Sequence, residues 1–397
     1  MFHPKQNVDA WSHIDVREGN EREMDEKIED VFAQYALNVK GKRRIRGAFL
    51  LETEKGYYSL KSCQESERRL SFQEKVKEIL HEQGCAYLDI AVKNESGHFR
   101  TKDCMGGYWV MRRWYSGKEC CLQDETDVFR ATKHLAKLHD MMILRVVDSE
   151  IGVETKDNVE MGSSAKEQTV DVNNQDKSIE KINAKRQNGM DDESQNDSCG
   201  DVCMGLGRHT REMKRVYNYI RNKKRKNEME ICLLNSFKNF YEQAAETENI
   251  LQEIGYEKHL NESMEKGCVV HGSYNYHNIL FQGNNIITMN FSKAEYGVQI
   301  LDLYDFLRKL MEKNSWRLDL GLRAAEIYCE EKKPEEWERK VLFLMLCYPE
   351  KYWKLMNFYY NGKKSWMSAK NYEKLQKICE QEVRRKKFLE EVKGLLF

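Results

Sequence analysis

The sequence predicts an α+β protein in two lobes. A small antiparallel-sheet lobe with one helix comes first, a larger and mainly helical lobe follows, and a disordered acidic insertion interrupts the second. Three observations predict this. Residues 39–62 read as short strands broken by Gly turns, the chain beyond 298 reads as helix after helix, and 148–207 reads as neither. Only three prolines, against 20 Tyr and 7 Trp, suit a well-packed, mostly helical chain.

The elements follow in order. Residues 1–37 are an N-terminal extension ending in an amphipathic helix. Over 20–37, Met24, Ile28, Val31, Phe32 and Tyr35 share one face at helical spacing. The small lobe spans 38–112. Strands are expected at Ile45–Glu52 and Tyr57–Ser62 around a Glu54-Lys55-Gly56 turn. A helix carrying Leu70, Phe72, Val76, Ile79 and Leu80 then stops at Gly84, and strand-like pieces return at 86–93 and 107–115. Residues 113–147 form a hinge and the start of the second lobe, with a strongly amphipathic helix at 127–142. The stretch 148–207 is acidic, polar and poor in aromatics, so it cannot bury enough apolar area to offset its chain entropy. The flanking patterns belong together, which places this insertion inside a domain. Residues 208–397 complete the helical lobe. Its basic cluster Arg221–Lys226 reads either as a solvated helix face or as a surface for an acidic partner, the insertion included.

Composition excludes several function classes. The 397 residues carry 65 basic and 65 acidic side chains, so net charge calls for neither nucleic acid nor membrane as partner. The start of the chain shows no apolar leader core, and no 18-residue apolar span occurs. A soluble cytosolic protein with reduced thiols is expected. The 12 cysteines form no paired CxxC motif; Cys120-Cys121 and Cys199/Cys203 read as buried or idle thiols, or as cross-links in an oxidised assembly.

Chemistry concentrates in a few places. Lys61 lies near a strand end, and Glu74 stands on the following helix. A hinge-like strand leads to "HGSYNYHNIL", then to "IITMNFS", then to a helix that Asp302 is placed to cap. This is the layout of a two-lobed kinase. In phosphoryl transfer a Lys held by an acid steadies the phosphates, a loop Asp takes the hydroxyl proton, an Asn five residues later holds a metal, and an Asp before Phe holds Mg²⁺. The spacing matches: Asn278 lies five residues after Ser273, and Asn290-Phe291-Ser292 follows about a dozen later. A Gly-rich phosphate cradle is weak, with only Gly41 and Gly47 in "VKGKRRIRGAF".

The loop resembles the HGDxxxxNIL motif of the aminoglycoside phosphotransferase and choline kinase superfamily. More narrowly, the chain resembles the CotS family of bacterial spore coat proteins. That likeness rests on "RGAFLLETEKGYYSLK", "RRLSFQEKVKEIL", "WYSGKEC", "ATKHLAKLH", "DLYDFLRKLMEKNSW" and "YPEKYWKLMNFYYNGKKSW". The resemblance implies a protein-kinase-like fold, other coat proteins as partners, and a path from the mother-cell cytoplasm into the spore coat.

The departures bear on activity. Ser273 stands where the motif has its catalytic Asp, and a neutral hydroxyl cannot act as that base; losing a positioned base costs about 10²–10⁴ in rate. Asn290, or Ser292 in a register shifted by two, replaces the anionic Mg²⁺ ligand. No catalytic residue is therefore expected intact and no metal site is expected. Lys61, Glu74 and Asn278 would form a residual nucleotide site, with Lys61–Glu74 either an ion pair or two separate side chains. His271 and Asp302 are expected to hold the loop. The main expectation is a non-catalytic assembly protein. The alternatives are an ATP-dependent small-molecule phosphotransferase, with Glu295 or Asp302 supplying the ligand, and a nucleotide-binding scaffold without turnover.

Overall fold

The computed structural model describes residues 27–45, 47–144, 202–361 and 369–397. The insertion and the extension before residue 27, Met24 included, lie largely outside them. The first helical segment, α1, covers 27–32. Five strands then form one antiparallel sheet: β1 (Val39–Ile45), β2 (Ala48–Thr53), β3 (Gly56–Ser62), β4 (Arg100–Lys102) and β5 (Tyr108–Arg113), ordered β1-β2-β3-β5-β4. The expected strand at Ile45–Glu52 instead begins after a hairpin. Ile45 pairs with Ala48, and Gly47, at φ 70°, supplies the left-handed turn.

Both sheet faces are covered. On one, Ile28 and Val31 of α1 and nearby Tyr35 pack on Leu51, Leu60, Trp109 and Met111. On the other, α2 (Glu67–Glu82) brings Leu70 against Val110, Ala91 and Phe99. Ser66 caps α2 by accepting from the Arg69 N–H, and Gly84 follows its end at φ 94°.

The piece at 86–93 is not a strand. It touches the sheets only through bridges at Leu88–Thr288 and Ala91–Arg112. Its backbone is divided between strands and side chains: the Val92 N–H donates to the Met111 carbonyl and the Arg113 N–H to the Ile90 carbonyl, both at 2.8 Å, while Glu74 accepts from the Ala91 N–H at 2.8 Å and the Asp89 carbonyl accepts from Lys77 at 2.7 Å.

Beyond the short β6 (Lys118–Glu119), the second lobe starts with α3 (Glu125–Met141), capped by Asp124. Helix α4 (Val202–Asn222) begins inside the stretch assigned to the insertion, so helical order resumes before residue 208. Helix α5 (Glu228–Glu253) opens with a capping box of Asn227 and Glu230, and α6 (Tyr256–Glu265) follows. The basic cluster 221–226 spans the α4–α5 junction, where Lys223 is ion-paired with the buried Glu230. Short strands β7 (Val269–Val270), β8 (Ile279–Gln282), β9 (Asn285–Thr288) and β10 (Glu295–Tyr296) form two small sheets, β10-β7 and β6-β8-β9. Helices α7 (Ile300–Lys313), α8 (Leu318–Lys332), α9 (Glu336–Cys347), α10 (Glu350–Asn361) and α11 (Ala369–Leu396) complete the lobe.

Much of the aromatic C-terminal stretch is core: Tyr352, Trp353, Met356 and Tyr359 are buried, while Phe358 and Tyr360 are exposed. Cys120 is buried, and burial pushes its thiol up to about 12, whereas Cys199 lies outside the described residues. No helix of the described residues is long and apolar enough to cross a membrane.

Candidate functional site

The segment His271–Asn278 connects β7 to β8, and its conformation is dictated from below by Asp302. This carboxylate is 2 % exposed, in the first turn of α7. It accepts from the His271 N–H at 2.6 Å and the Gly272 N–H at 2.8 Å, with His139 Nε2 at 3.2 Å. Burial alone would push the Asp302 carboxyl up, but the hydrogen bond and charge of His139, with further help from His271, hold it below the ordinary value. Asp302 thus anchors the loop. It is not the helix cap: Gln299 occupies the cap position, and its amide instead donates to the carbonyls of His139, Met142 and Val269.

His271 ties the loop to the segment leading into Asn290. Its Nδ1 lies 3.2 Å from the Ser273 N–H, and its Nε2 lies 3.1 Å from the Met289 carbonyl. Only the neutral ring with its proton on Nε2 satisfies both partners. Burial pushes its pKa down, in keeping with that form.

Ser273 and Asn278 are brought together. The Asn278 amide donates to the Ser273 carbonyl at 2.8 Å and lies 3.2 Å from Oγ, so the loop closes on itself with neutral groups. Asn290 is held in a left-handed conformation, φ 66°, by its N–H donating to Asp89 Oδ2 at 2.8 Å. Ser292 Oγ donates to Asn290 Oδ1 at 2.9 Å, so the two alternative readings of the metal position are hydrogen-bonded to each other.

Lys61 and Glu74 are not brought together. Lys61 is exposed, opposite Val110 on β5, and makes no ion pair among the described residues. Glu74 is buried and taken: Oε1 accepts from Lys77 at 2.8 Å and Arg112 at 2.9 Å, and Oε2 from the Ala91 N–H. Arg112 uses its second arm on Gln73, at 3.0 Å, so its planar fork holds two neighbouring side chains of α2. Lys77, fully buried, also lies 3.1 Å from Asp89 Oδ1. That is an ion-pair distance without hydrogen-bond alignment, since Oδ1 has no hydrogen-bond partner.

Sequence reasoning missed Lys77, Asp89 and Arg112. A signal existed: Lys77 sits beside Val76 on the apolar stripe of α2, and Asp89 interrupts the apolar run "YLDIAV". Charges in such places are buried in pairs or not at all. Gly47 serves a two-residue hairpin, and Gly41 lies within β1, so the weak glycine pattern forms a strand turn.

The residues present do not fit Mg²⁺. The loop positions offer neutral oxygens from Ser273, Asn278 and Asn290, while a hard dication favours carboxylates. Glu74, Asp89 and Asp302 are each committed to protein partners. Glu295 lies half-buried in β10, paired with Val270.

By sequence, no protein-family model and no curated protein matches the chain. Solved structures do. An aminoglycoside phosphotransferase from Alicyclobacillus acidocaldarius superposes with a TM-score of 0.71 at 15% identity, covering 93% of this chain and 96% of that one. An amicoumacin kinase in complex with AMP-PNP and Ca²⁺ superposes with a TM-score of 0.50 at 11% identity, covering 94% and 96%. What these likenesses show is the architecture: the chain has the two-lobed, protein-kinase-like fold seen in aminoglycoside phosphotransferases.

Proposed function

We propose that this chain is a pseudokinase, a non-catalytic assembly protein that keeps the kinase-like scaffold and has retired its chemistry. The observation that carries the reading is the fate of the acids. Neutral Ser273 and Asn290 occupy the positions of the base and the metal ligand, and the buried acids nearby, Glu74, Asp89 and Asp302, are held by protein donors. Function is argued from the site, and this site lacks free charge where phosphoryl transfer needs it. The likeness to CotS in the quoted stretches supports a place in the bacterial spore coat after synthesis in the mother-cell cytoplasm, with other coat proteins as partners.

A second reading, an ATP-dependent small-molecule phosphotransferase, is favoured by the architecture shared with the Alicyclobacillus enzyme. It requires a new metal ligand. Asp302, with three protein donors, would have to abandon the loop it anchors, and Glu295 would have to turn from its place in β10.

Calorimetric titration with ATP, with and without Mg²⁺, separates the readings. The natural chain is expected to show no metal-dependent binding. The variant Ser273→Asp/Asn290→Asp is expected to gain it, by at least about tenfold, because a carboxylate restores a hard ligand. Tight MgATP binding by the natural chain would overturn the retired-site reading and make turnover on small hydroxyl and amine substrates the next measurement. Tight metal-free binding without turnover would favour a nucleotide-binding scaffold.

A further inference from the structure

A cavity of about 360 Å³ opens where the two lobes join, and none of the candidate-site residues lines it. Its walls are the linker after α2 (Gly84 to Tyr87), one face of α3, and the turn between β8 and β9 (Asn284 to Ile286). The α3 wall is cationic. Arg130, Lys133 and Lys137 lie three and four residues apart and so share one helix face.

These cations are positioned and only partly neutralised. Arg130 donates to the Gly283 carbonyl at 2.8 Å, and its guanidinium lies 4.5 Å from the Phe281 ring centroid. That hold uses one of five N–H donors and fixes the fork in place. Lys133 and Lys137 share a single carboxylate, Glu331, at 3.3 and 3.9 Å. Three permanent cations therefore stand against one acid. The neutral lining adds directional groups. Asn285 donates to the Tyr87 hydroxyl at 2.9 Å, and His134 Nε2 lies 2.8 Å from Thr288 Oγ1.

We propose that this cavity is an anion site for the phosphate group of a small molecule. Its volume is at the small end of the range for such ligands, roughly 300–1,000 Å³. A preset guanidinium fork flanked by two ammonium groups matches phosphate geometry better than it matches a single carboxylate. The site also has a mechanical consequence. The Thr288 N–H donates to the Tyr87 carbonyl at 3.2 Å, so linker and hairpin already meet at this wall. Strand β8 begins directly after Asn278, and β9 ends two residues before Asn290. An anion drawing α3 toward the linker would fasten the lobes and steady both amides, whether or not the loop between them performs chemistry.

The test is titration of the full chain with pyrophosphate at constant ionic strength, by calorimetry. Saturable one-to-one binding is expected. It should weaken at least about tenfold in Lys133→Gln/Lys137→Gln and remain unchanged in Lys61→Gln. Both lysines are 55% exposed, so the double variant is expected to keep the wild-type urea midpoint. Should that midpoint shift, Arg130→Lys carries the test, because it keeps the charge and loses the fork; weaker binding is again expected. Absence of saturable binding, equal affinity in the variants, or loss of binding in Lys61→Gln would each overturn the proposal.

Discussion

Gly272 shows how a single position can join two loops. It sits at φ 68°, where an L side chain is strained, and a Cβ there would fall 2.3 Å from the Lys293 carbonyl oxygen. The contact is with backbone, so nothing flexible can yield. The glycine thus lets the His271–Asn278 segment lie flat against the segment after Asn290, while Asp302 grips its N–H from the other side. Gly272→Ala is expected to destabilise the fold by more than about 2 kcal/mol in urea denaturation, from left-handed strain plus the clash. A cost below about 1 kcal/mol would mean that the two segments are not held this close. At this scale the sequence was informative about which residues form the loop and misleading about one role. Asp302 looked like a cap because it sits at the start of a helical pattern. Its true targets, the two N–H groups of His271 and Gly272, are 31 and 30 residues away and invisible to local reading.

Helix α2 is the element whose role changed most between sequence and structure. Its apolar stripe was legible, but the stripe also carries Glu74 and Lys77, which pair with each other and draw their further partners, Arg112 and Asp89, from other segments. Lys61 is the nearest Lys in a strand, which made it the natural candidate. The pairing actually chosen follows burial: Lys77 is fully buried and must be matched, while exposed Lys61 can remain in water. The same side chains take the backbone groups of 86–93 that face away from β5, at Ala91 and Asp89, while Ile90 and Val92 bond to β5 itself. Lys77→Met is therefore expected to cost about 3 kcal/mol, because it leaves Asp89 without its cation and Glu74 with Arg112 and the Ala91 N–H. Lys61→Met should stay within about 0.5 kcal/mol of wild type. Equal effects of the two substitutions would show that Lys61, and not Lys77, holds α2.

At the scale of the whole molecule, the two-lobed architecture was readable because periodicity and turn residues are local. The extent of the insertion was less readable. Its polar composition ends at Asp201, and the run Val-Cys-Met-Gly-Leu-Gly, broken by two glycines, already belongs to α4, whose Leu206, Met213, Val216 and Ile220 pack into the core. A property of the whole fold follows from two histidines near the join of the lobes, His271 buried and His134 half-buried. Burial, helped by the charge of Lys137, pushes His134 down to about 4, and burial pushes His271 down as well, against the pull of Asp302 and Asp89. In the unfolded chain both would titrate near an ordinary value of about 6.5. Between about pH 6.5 and 4 the unfolded state therefore binds more protons than the folded one, and stability falls as pH falls. Asp302, whose pKa is lowered, keeps its contribution above its ordinary value near 3.8 and so adds no slope in this window. The urea midpoint is expected to be level between pH 8 and 7 and to decline steadily toward pH 4. His134→Gln, which removes the titration and keeps a polar partner for Thr288, should recover on the order of 2 kcal/mol of that loss. An identical decline in the variant would mean that His134 accepts its proton in the folded state as readily as in water, and that the join between the lobes is far wetter than its packing implies.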